Sequence, residues 1–158
     1  MYTIGHSNHP IDVFLDLLAR HRVQGLADVR SVPHSRFARQ YNRRSLERAL
    51  DEAGIRYLYL GAELGGRPEE AELRDELGHV RYDLVAAAPR FSEGLARLGQ
   101  AATAARVAVM CSEEDPTRCH RRLLLAPALV ARGVEVRHIR KDGSVVVDGQ
   151  LDPGPTLF

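Results

Sequence analysis

Short apolar runs alternate along the chain with longer segments whose apolar residues recur at helical spacing. The short runs are bounded by glycine, proline or polar residues, as is typical of buried strands. They predict strands over residues 2–4, 25–29, 56–60, 106–110 and 134–139. The longer segments predict helices over 10–21, 45–53, 69–77, 91–104 and 116–132. We expect the last helix to kink at Pro127, because proline removes a helical hydrogen bond.

The regular alternation of strands and helices predicts the fold class. Strands joined by helices require right-handed crossover connections and form a parallel sheet. We therefore expect a single α/β domain over residues 1–158, with a mostly parallel sheet of about five strands and helices on both faces. Asp142-Gly143 is a turn signal ahead of the apolar residues 145–147, so residues 141–158 are interpreted as a short C-terminal hairpin, ribbon or tail of the same domain.

Composition and the absence of long apolar runs indicate the cellular compartment that we expect for this protein. Hydrophobic residues make up 44% and charged residues 27% of the 158 residues, an ordinary globular balance. No apolar run approaches the ~18 residues of a membrane span, and a strand-like run begins directly after Met1, which leaves no room for a signal peptide. We therefore expect a cytoplasmic protein without a membrane partner. In such a protein the two cysteines, Cys111 and Cys119, are expected to be thiols.

Every predicted strand ends in polar or reactive residues. Ligands of open α/β sheets bind beyond the carboxyl ends of the strands, so these residues are expected to share one site. The set comprises His6 and Ser7 after the first strand, Asp28 and Arg30 after the second, Gly65 and Gly66 after the third, Cys111 and Glu113 after the fourth, and His138 in the fifth.

Cys111 is the sharpest candidate for chemistry. A cysteine between an apolar strand and a helix start favours the thiolate, and Arg118, Arg121 and Arg122 follow it closely. The arrangement resembles cysteine phosphatases and rhodanese-like sulfurtransferases. Arg118 comes one residue too late for the phosphatase pattern, and the acidic residues 113–115 occupy the loop where a phosphate would bind, which argues against phosphatase chemistry. The alternative is a buried cysteine that acts as a small hydrophobic residue.

The neighbouring residues offer supporting roles. His6 or His120 is a candidate for proton transfer, and Glu113 is either an acid or base, if it is buried beside Cys111, or a solvated loop residue. We interpret Asp28, Cys119 and His138 as structural support. Cys111, Cys119, His120 and His6 include types that ligate metals, but their spacing matches no standard zinc pattern, so no metal is predicted and the cofactor is left unassigned.

Charge is distributed unevenly although the formal net charge is only +1, which argues against binding nucleic acid by overall charge. Residues 30–48 carry six arginines and one acidic residue, with Phe37 and Tyr41 interleaved; this pattern suits phosphates and stacked bases. Residues 69–76 carry five acidic residues and one arginine, so the two segments can instead neutralise each other within a monomer or across a homodimer. Gly65-Gly66 is a weak phosphate-cradle signal, and backbone freedom in a tight turn is the simpler interpretation.

Several of these motifs occur in an order that resembles a known family. They are Thr3-Ile4-Gly5-His6-Ser7, Asp28-Val29-Arg30 with Pro33 and Ser35, Leu64-Gly65-Gly66, Cys111-Ser112-Glu113, Cys119-His120-Arg121 and His138-Ile139. The chain is similar to members of the bacterial domain-of-unknown-function 488 family over residues 2–139. The resemblance implies a single α/β domain with these residues as its polar signature, and it supplies no reaction.

Two functional hypotheses follow from the residues. In the first, the chain is an enzyme acting on an anionic, phosphate-bearing or nucleotide-like small molecule. Cys111 is then the nucleophile or sulfur carrier, His6 or His120 transfers a proton, and the anion is bound by Ser7, Arg30, Arg36, Gly65, Gly66 and Arg121. In the second, the chain is a non-catalytic module that binds a nucleotide or nucleic acid through the basic segment 30–48, and the cysteines are packing residues.

Overall fold

The computed structural model describes residues 1–152, and the sheet within them has six strands. The strands are β1 (Tyr2–Gly5), β2 (Gly25–Asp28), β3 (Arg56–Tyr59), β4 (Val107–Cys111), β5 (Arg137–Ile139) and β6 (Val145–Val147). Their order across the sheet is β3-β2-β4-β1-β5-β6. All neighbouring pairs are parallel except β5 and β6, which form the antiparallel C-terminal hairpin. The predicted single α/β domain with a mostly parallel sheet is confirmed.

Six α-helices connect and cover the strands. They are α1 (Ile11–Arg20), α2 (Arg43–Glu52), α3 (Gly61–Leu64), α4 (Tyr82–Ala87), α5 (Pro89–Ala104) and α6 (Ala126–Val130). One apolar core joins one face of the sheet to α1 and α2 through side chains such as Phe14, Leu18 and Leu46. A second core joins the other face to α3, α4, α5 and α6 through Leu64, Val85 and Leu98, among others. Both faces of the sheet are therefore covered, as the strand–helix alternation predicts.

The helix predicted over residues 69–77 is wrong. The segment contains only a short 3₁₀ turn, Ala71–Leu73, followed by an isolated bridge between Arg74 and Val80. It lacks an apolar stripe, because Leu73 packs against the core while Leu77 is exposed. The Asp75 carboxylate also accepts hydrogen bonds from the amides of Leu77 and His79, which competes with helical hydrogen bonding.

The helix predicted over residues 116–132 is broken into three pieces. Asp115 caps a 3₁₀ turn, Pro116–Arg118, by accepting a hydrogen bond from the Thr117 amide. A π-helical turn follows over Arg121–Leu125 and leads into α6. Pro127 has no amide hydrogen, so in an α-helix the carbonyl group four residues earlier would have no donor. The wider π turn lies at this point of the chain. Residues 61–64, directly before Gly65-Gly66, form the helical turn α3, which the sequence pattern does not predict.

Smaller differences concern the last two strands and the C-terminal end of the chain. The fifth strand is shorter than predicted, because only Arg137–Ile139 pairs with β1. The hairpin turns at Gly143, whose φ of 85° lies in the left-handed region that glycine tolerates. Of the predicted C-terminal ribbon, residues 153–158 lie outside the part of the chain that the structure describes. Within residues 1–152, no helix has the length and hydropathy needed to cross a membrane.

Candidate active site at the carboxyl edge of the sheet

The strand order brings three reactive segments together at one edge of the sheet. β4 lies between β2 and β1, so the carboxyl ends of these three strands are adjacent. Cys111 at the end of β4 is in register with Gly5, and the amide of His6 donates to the Cys111 carbonyl at 2.9 Å. Gly5 permits this approach, because a Cβ there would lie 1.9 Å from the Glu113 carbonyl oxygen. The predicted clustering of strand ends is therefore present for β1, β2 and β4.

A cleft of about 560 Å³ opens at this edge. It lies beside the ends of β1, β2 and β4, between the loop after β2, the segment after α3 and the loop that follows β4. Its lining includes five of the residues predicted for catalysis or support, namely His6, Cys111, Glu113, Cys119 and His120. Arg30, Ser31, Val32, His34, Ser35, Gly66, Arg67, Tyr82, Ser112 and Arg118 complete it.

Two cysteines and a histidine form a buried cluster in this cleft. The Nδ1 atom of His120 lies 3.6 Å from the Cys111 sulfur and 3.8 Å from the Cys119 sulfur. Both cysteines are free thiols. The other ring nitrogen of His120, Nε2, is buried and has no hydrogen-bond partner within residues 1–152. The two sulfurs are therefore the polar atoms that orient the His120 ring.

The Arg121 side chain connects the cluster to the rest of the fold. It is fully buried, with a relative exposure of 1%. Its Nε donates to the Cys119 sulfur at 3.3 Å and its Nη1 to the Thr3 hydroxyl at 3.2 Å. Its Nη2 donates to the carbonyl oxygens of Glu113 and Glu114. The guanidinium thus ties the loop after β4 to strand β1 and to the second cysteine.

This environment separates the two thiols electrostatically. Interaction with the Cys119 thiol, contact with His120 and the charge of Arg121 lower the pKa of Cys111 well below its ordinary value, against the opposing effect of burial. The interaction with Cys111, together with burial, raises the pKa of the Cys119 thiol. The electrostatics therefore favour the thiolate form at Cys111 over Cys119. Of the three arginines predicted to favour the thiolate, Arg122 instead contacts the carbonyl oxygens of Leu151 and Asp152.

A second network of charges lies on the β2 side of the cleft. The Asp28 carboxylate accepts hydrogen bonds from Nε and Nη2 of Arg30, at 2.9 and 2.7 Å, and from the Tyr57 hydroxyl at 2.8 Å. Side-chain exposure is 0% for Asp28 and 5% for Arg30, so the pair is screened from water. Arg30 also donates to the Tyr41 carbonyl oxygen. Asp28 thus orients Arg30, which is the supporting arrangement that the sequence predicts for it.

His6 is held by this network. Its Nδ1 donates to the Ser7 carbonyl oxygen at 2.6 Å, which leaves Nε2 to accept from Nη1 of Arg30 at 3.2 Å. Its ring stacks on Tyr41 with centroids 4.1 Å apart. Burial lowers the pKa of His6 to about 4, and the nearby Arg30 charge adds to the effect, so the ring is neutral at pH 7. Both ring nitrogens of His6 are engaged, whereas His120 has Nδ1 directed at the Cys111 sulfur.

Several predicted binding residues do not reach the cleft. The Arg36 and Ser7 side chains are exposed and do not line it. Arg121 was expected to bind substrate, but its donors are used by protein acceptors inside the fold. The expectation that Arg36, Ser7 and Arg121 contact a bound anion gains no support from this arrangement and stays a prediction. Glu113 lines the cleft but is exposed, and its carboxylate accepts from the Asp115 amide; the buried acid or base alternative does not hold.

The two glycines after β3 have a packing role. Neither Gly65 nor Gly66 has a positive φ, so the interpretation as a conformationally demanding turn is wrong. A Cβ on Gly66 would lie 2.5 Å from Cγ of His120, and one on Gly65 would lie 2.3 Å from the Ser31 hydroxyl oxygen. Gly66 therefore lets the chain pack directly against the His120 ring. Gly66 lines the cleft, whereas Gly65 does not.

His138 lies outside the cleft but connects to it. Its Nδ1 contacts the Thr3 hydroxyl at 2.8 Å, and its Nε2 contacts the Asp148 carboxylate at 3.0 Å. Thr3 also accepts from Arg121, so His138 is linked to the cysteine cluster through one hydroxyl. Burial lowers the pKa of His138. These contacts agree with the predicted supporting position.

The sequence reasoning missed two cations and an aromatic residue of the cleft. Arg67 and Arg118 line it with exposed side chains, and neither forms an ion pair within residues 1–152. The sequence pattern predicts an effect of Arg118 on Cys111 alone, and it predicts no role for Arg67. Its position directly after Gly65-Gly66 is a signal that could have identified it. Tyr82 begins the unpredicted helix α4, so its approach to the cysteines could not be inferred from spacing.

The cluster can also ligate a metal. The ligand atoms of Cys111, Cys119 and His120 all lie within 4.8 Å of one another, and all three residues are buried. Linear spacing did not reveal this, because the loop after β4 folds back and returns Cys119 to Cys111. His6, the fourth residue considered for metal binding, is not part of the group.

The fold and the cleft define a class of protein: a single α/β domain with a cysteine–histidine cluster at the carboxyl edge of a parallel sheet. The chain belongs to the family described as Domain of unknown function DUF488, whose family model matches residues 10–127. The match includes Arg30, Gly66 and the Cys111 to Arg121 segment, and it leaves out His6 and His138. No curated protein and no solved structure matched the chain.

The buried Asp28–Arg30 pair generates a stability prediction. Asp28→Asn leaves the buried Arg30 charge uncompensated, and we expect it to lower the free energy of unfolding by about 3–5 kcal/mol. Asp16→Asn is the matched control, because Asp16 forms an exposed pair with Arg20 that is worth less than about 1 kcal/mol. Urea unfolding of both variants measures the difference. Equal, small losses in the two variants would show that the pair does not stabilise this edge of the sheet.

Proposed function

We propose that this protein is an enzyme that uses the Cys111 thiolate as a nucleophile on a small anionic molecule bound in the cleft. The observation that carries the proposal is the contact between the Cys111 sulfur and Nδ1 of His120, at 3.6 Å on the floor of a cleft. A thiol beside an imidazole base is the arrangement that activates cysteine nucleophiles. The free thiol pair requires a reducing compartment, so we place the reaction in the cytoplasm.

The proposed chemistry is a transfer through sulfur. In the starting state Cys111 is a thiolate and its proton is held on Nδ1 of His120, and the thiolate attacks an electrophilic centre of the substrate. A bond forms between sulfur and that centre, while the leaving group departs with the electron pair of its own bond and takes the proton from His120. A second acceptor then displaces the group from sulfur and returns a proton to the histidine, which restores the starting state.

The cations of the cleft support the choice of an anionic substrate. Arg67 and Arg118 line the cleft without an ion-pair partner within residues 1–152, and Glu113 is the acidic residue among the lining side chains. Arg30 lies deeper and has two of its nitrogens committed to Asp28, so it contributes a fixed positive charge. In this proposal Arg67 and Arg118 take the binding role that was predicted for Arg36 and Arg121.

Alkylation with two probes of equal shape tests the nucleophile and the anion preference together. In the presence of a metal chelator, we expect Cys111 to react with iodoacetamide at least about tenfold faster than Cys119, because only Cys111 is a thiolate. The ratio of the iodoacetate rate to the iodoacetamide rate should exceed that of free cysteine. Arg118→Gln should lower this ratio by about two- to fivefold, since one exposed charge pair is worth up to about 1 kcal/mol.

Arg36→Gln is the matched control, because Arg36 is an exposed arginine of the same region that does not line the cleft. It should leave the ratio at the wild-type value. Peptide mass spectrometry at pH 7 assigns each adduct to one cysteine. A Cys111 that reacts no faster than Cys119 removes the nucleophile from the proposal, and a ratio equal to that of free cysteine removes the anionic substrate.

A second candidate function, nucleic-acid binding through the basic segment, has one observation in its favour. Arg36, Arg39, Arg44 and Arg48 are exposed, and none of them forms an ion pair within residues 1–152. The acidic stretch does not neutralise them in the monomer, because Glu70 pairs with Arg90 and Asp75 with His79. Arg43 is less available, since its guanidinium lies 4.8 Å from the centroid of the Tyr59 ring.

Salt-dependent binding of a single-stranded oligonucleotide tests this second candidate. Replacing Arg44 and Arg48 by alanine should reduce the slope of log affinity against log salt by about 1.4, because each lost phosphate contact removes about 0.7. Cys111→Ala is the control and should bind like the wild type. Absence of binding at low salt, or an unchanged slope in the double variant, rejects this function.

A further inference from the structure

We propose that Cys111, Cys119 and His120 form a three-ligand zinc site whose fourth position opens into the cleft. The inference goes beyond the proposed nucleophilic reaction and stands on the geometry of the cluster. The two sulfurs and the histidine nitrogen already lie within 4.8 Å of one another, so the three ligands are close together before any ion is bound.

The two nitrogen–sulfur separations match the edges of a zinc tetrahedron. With zinc–sulfur bonds of about 2.3 Å and zinc–nitrogen bonds of about 2.0–2.1 Å at tetrahedral angles, the nitrogen and sulfur ligands lie about 3.6 Å apart. The observed separations from Nδ1 of His120 are 3.6 Å to Cys111 and 3.8 Å to Cys119. The two sulfurs lie within 4.8 Å of each other, against about 3.8 Å across a zinc tetrahedron, so one ion can contact all three atoms once the sulfurs approach each other by up to about 1 Å.

The chemistry of the ligands selects a borderline soft metal. Two thiolates and one imidazole suit zinc, and they offer none of the oxygen ligands that magnesium and calcium require. Two cysteines and one histidine also form the protein part of open zinc sites, in which the fourth position takes water or substrate. All three residues line the cleft, so a fourth ligand has access.

Arg121 supplies the surroundings that such a site needs. Its Nε donates to the Cys119 sulfur at 3.3 Å, and hydrogen bonds of this kind orient metal ligands and stabilise thiolates. The two thiolates neutralise the charge of zinc, and Arg121 then leaves the site with a net positive charge. The fourth ligand is therefore expected to be an anion, such as hydroxide or the acidic group of a small molecule.

Zinc and an electrophile compete for the same atom. A zinc-bound Cys111 sulfur donates one of its electron pairs to the metal and becomes a weaker nucleophile, so bound zinc slows the nucleophilic attack without altering the protein covalently. The metal-free form is then the reactive form, and zinc is a reversible inhibitor of the proposed reaction.

Titration of the metal-free protein with zinc, in competition with a chromophoric chelator, tests the site. We expect one zinc per chain in the wild type. Cys119→Ser and His120→Ala should each weaken zinc binding by more than about 100-fold. Removing a residue that only forms a hydrogen bond to a ligand costs at most about 100-fold, so a larger loss identifies a ligand. His34→Asn is the matched control, because His34 is a histidine of the cleft outside the cluster, and it should bind zinc like the wild type. Circular dichroism checks that each variant is folded.

Two readouts separate this proposal from the proposed function. Cadmium should produce the ultraviolet thiolate-to-metal absorption in the wild type and lose most of it in Cys119→Ser. Zinc should protect Cys111 of the wild type from iodoacetamide, and a chelator should restore the reaction. Absence of one bound zinc per chain, or equal affinity in the wild type and folded Cys119→Ser, overturns the zinc site even if Cys111 alkylates rapidly in chelator. Slow alkylation in chelator together with tight zinc binding overturns the nucleophile and leaves the zinc site in place.

Discussion

A buried arginine without a carboxylate partner is the constraint on which the arrangement of the cleft depends. Arg121 is 1% exposed, and within residues 1–152 it forms no ion pair with an aspartate or glutamate. A buried guanidinium is costly unless its donors are satisfied, so the surrounding acceptors are held where it needs them. These acceptors are two carbonyl groups of the loop after β4, the Thr3 hydroxyl and the Cys119 sulfur. The cysteine cluster is shaped by this requirement.

The strand order supplies the second half of the arrangement. Because β4 lies between β1 and β2, the loop after β4 has Gly5 and His6 on one side and Arg30 on the other. Arg121 ties the loop to β1, and the Asp28–Arg30 pair with His6 forms the opposite wall. Two separate buried arginines thus hold the two walls, and the Cys111 sulfur lies in the cleft that they border. The same positive surroundings favour an anionic thiol, an anionic substrate and an anionic fourth ligand of a metal.

Much of this architecture could be predicted from the sequence, because it depends on local pattern and on the parallel topology. Apolar strands that end in polar residues are enough to predict that His6, Arg30 and Cys111 come together. The pattern could not predict which side chains turn inward. Arg36 and Arg121 look equivalent as arginines near strand ends, yet one is exposed and the other is buried with all three nitrogens donating to protein acceptors.

Other failures have similar physical origins. The acidic stretch 69–76 has helix-forming residues, but its Asp75 side chain competes for backbone amides, and its apolar residues form no stripe. The return of Cys119 to Cys111 depends on the loop after β4 and its 3₁₀ turn, Pro116–Arg118, whose path residue counting does not capture. Metal-ligand spacing fails for the same reason, since the separation along the chain says little once the loop folds back.

The most direct test of this account is the reactivity of Cys111 when Arg121 is replaced by methionine. Methionine is an apolar side chain of similar length, so the variant removes the charge and the hydrogen-bond donors but largely keeps the packing. The variant is compared with the wild type by iodoacetamide alkylation at pH 7 in chelator, with circular dichroism as the check of folding. If Arg121 positions the loop and favours the thiolate, the Cys111 rate should fall to that of an ordinary buried thiol. A folded variant whose Cys111 reacts at the wild-type rate would contradict the account.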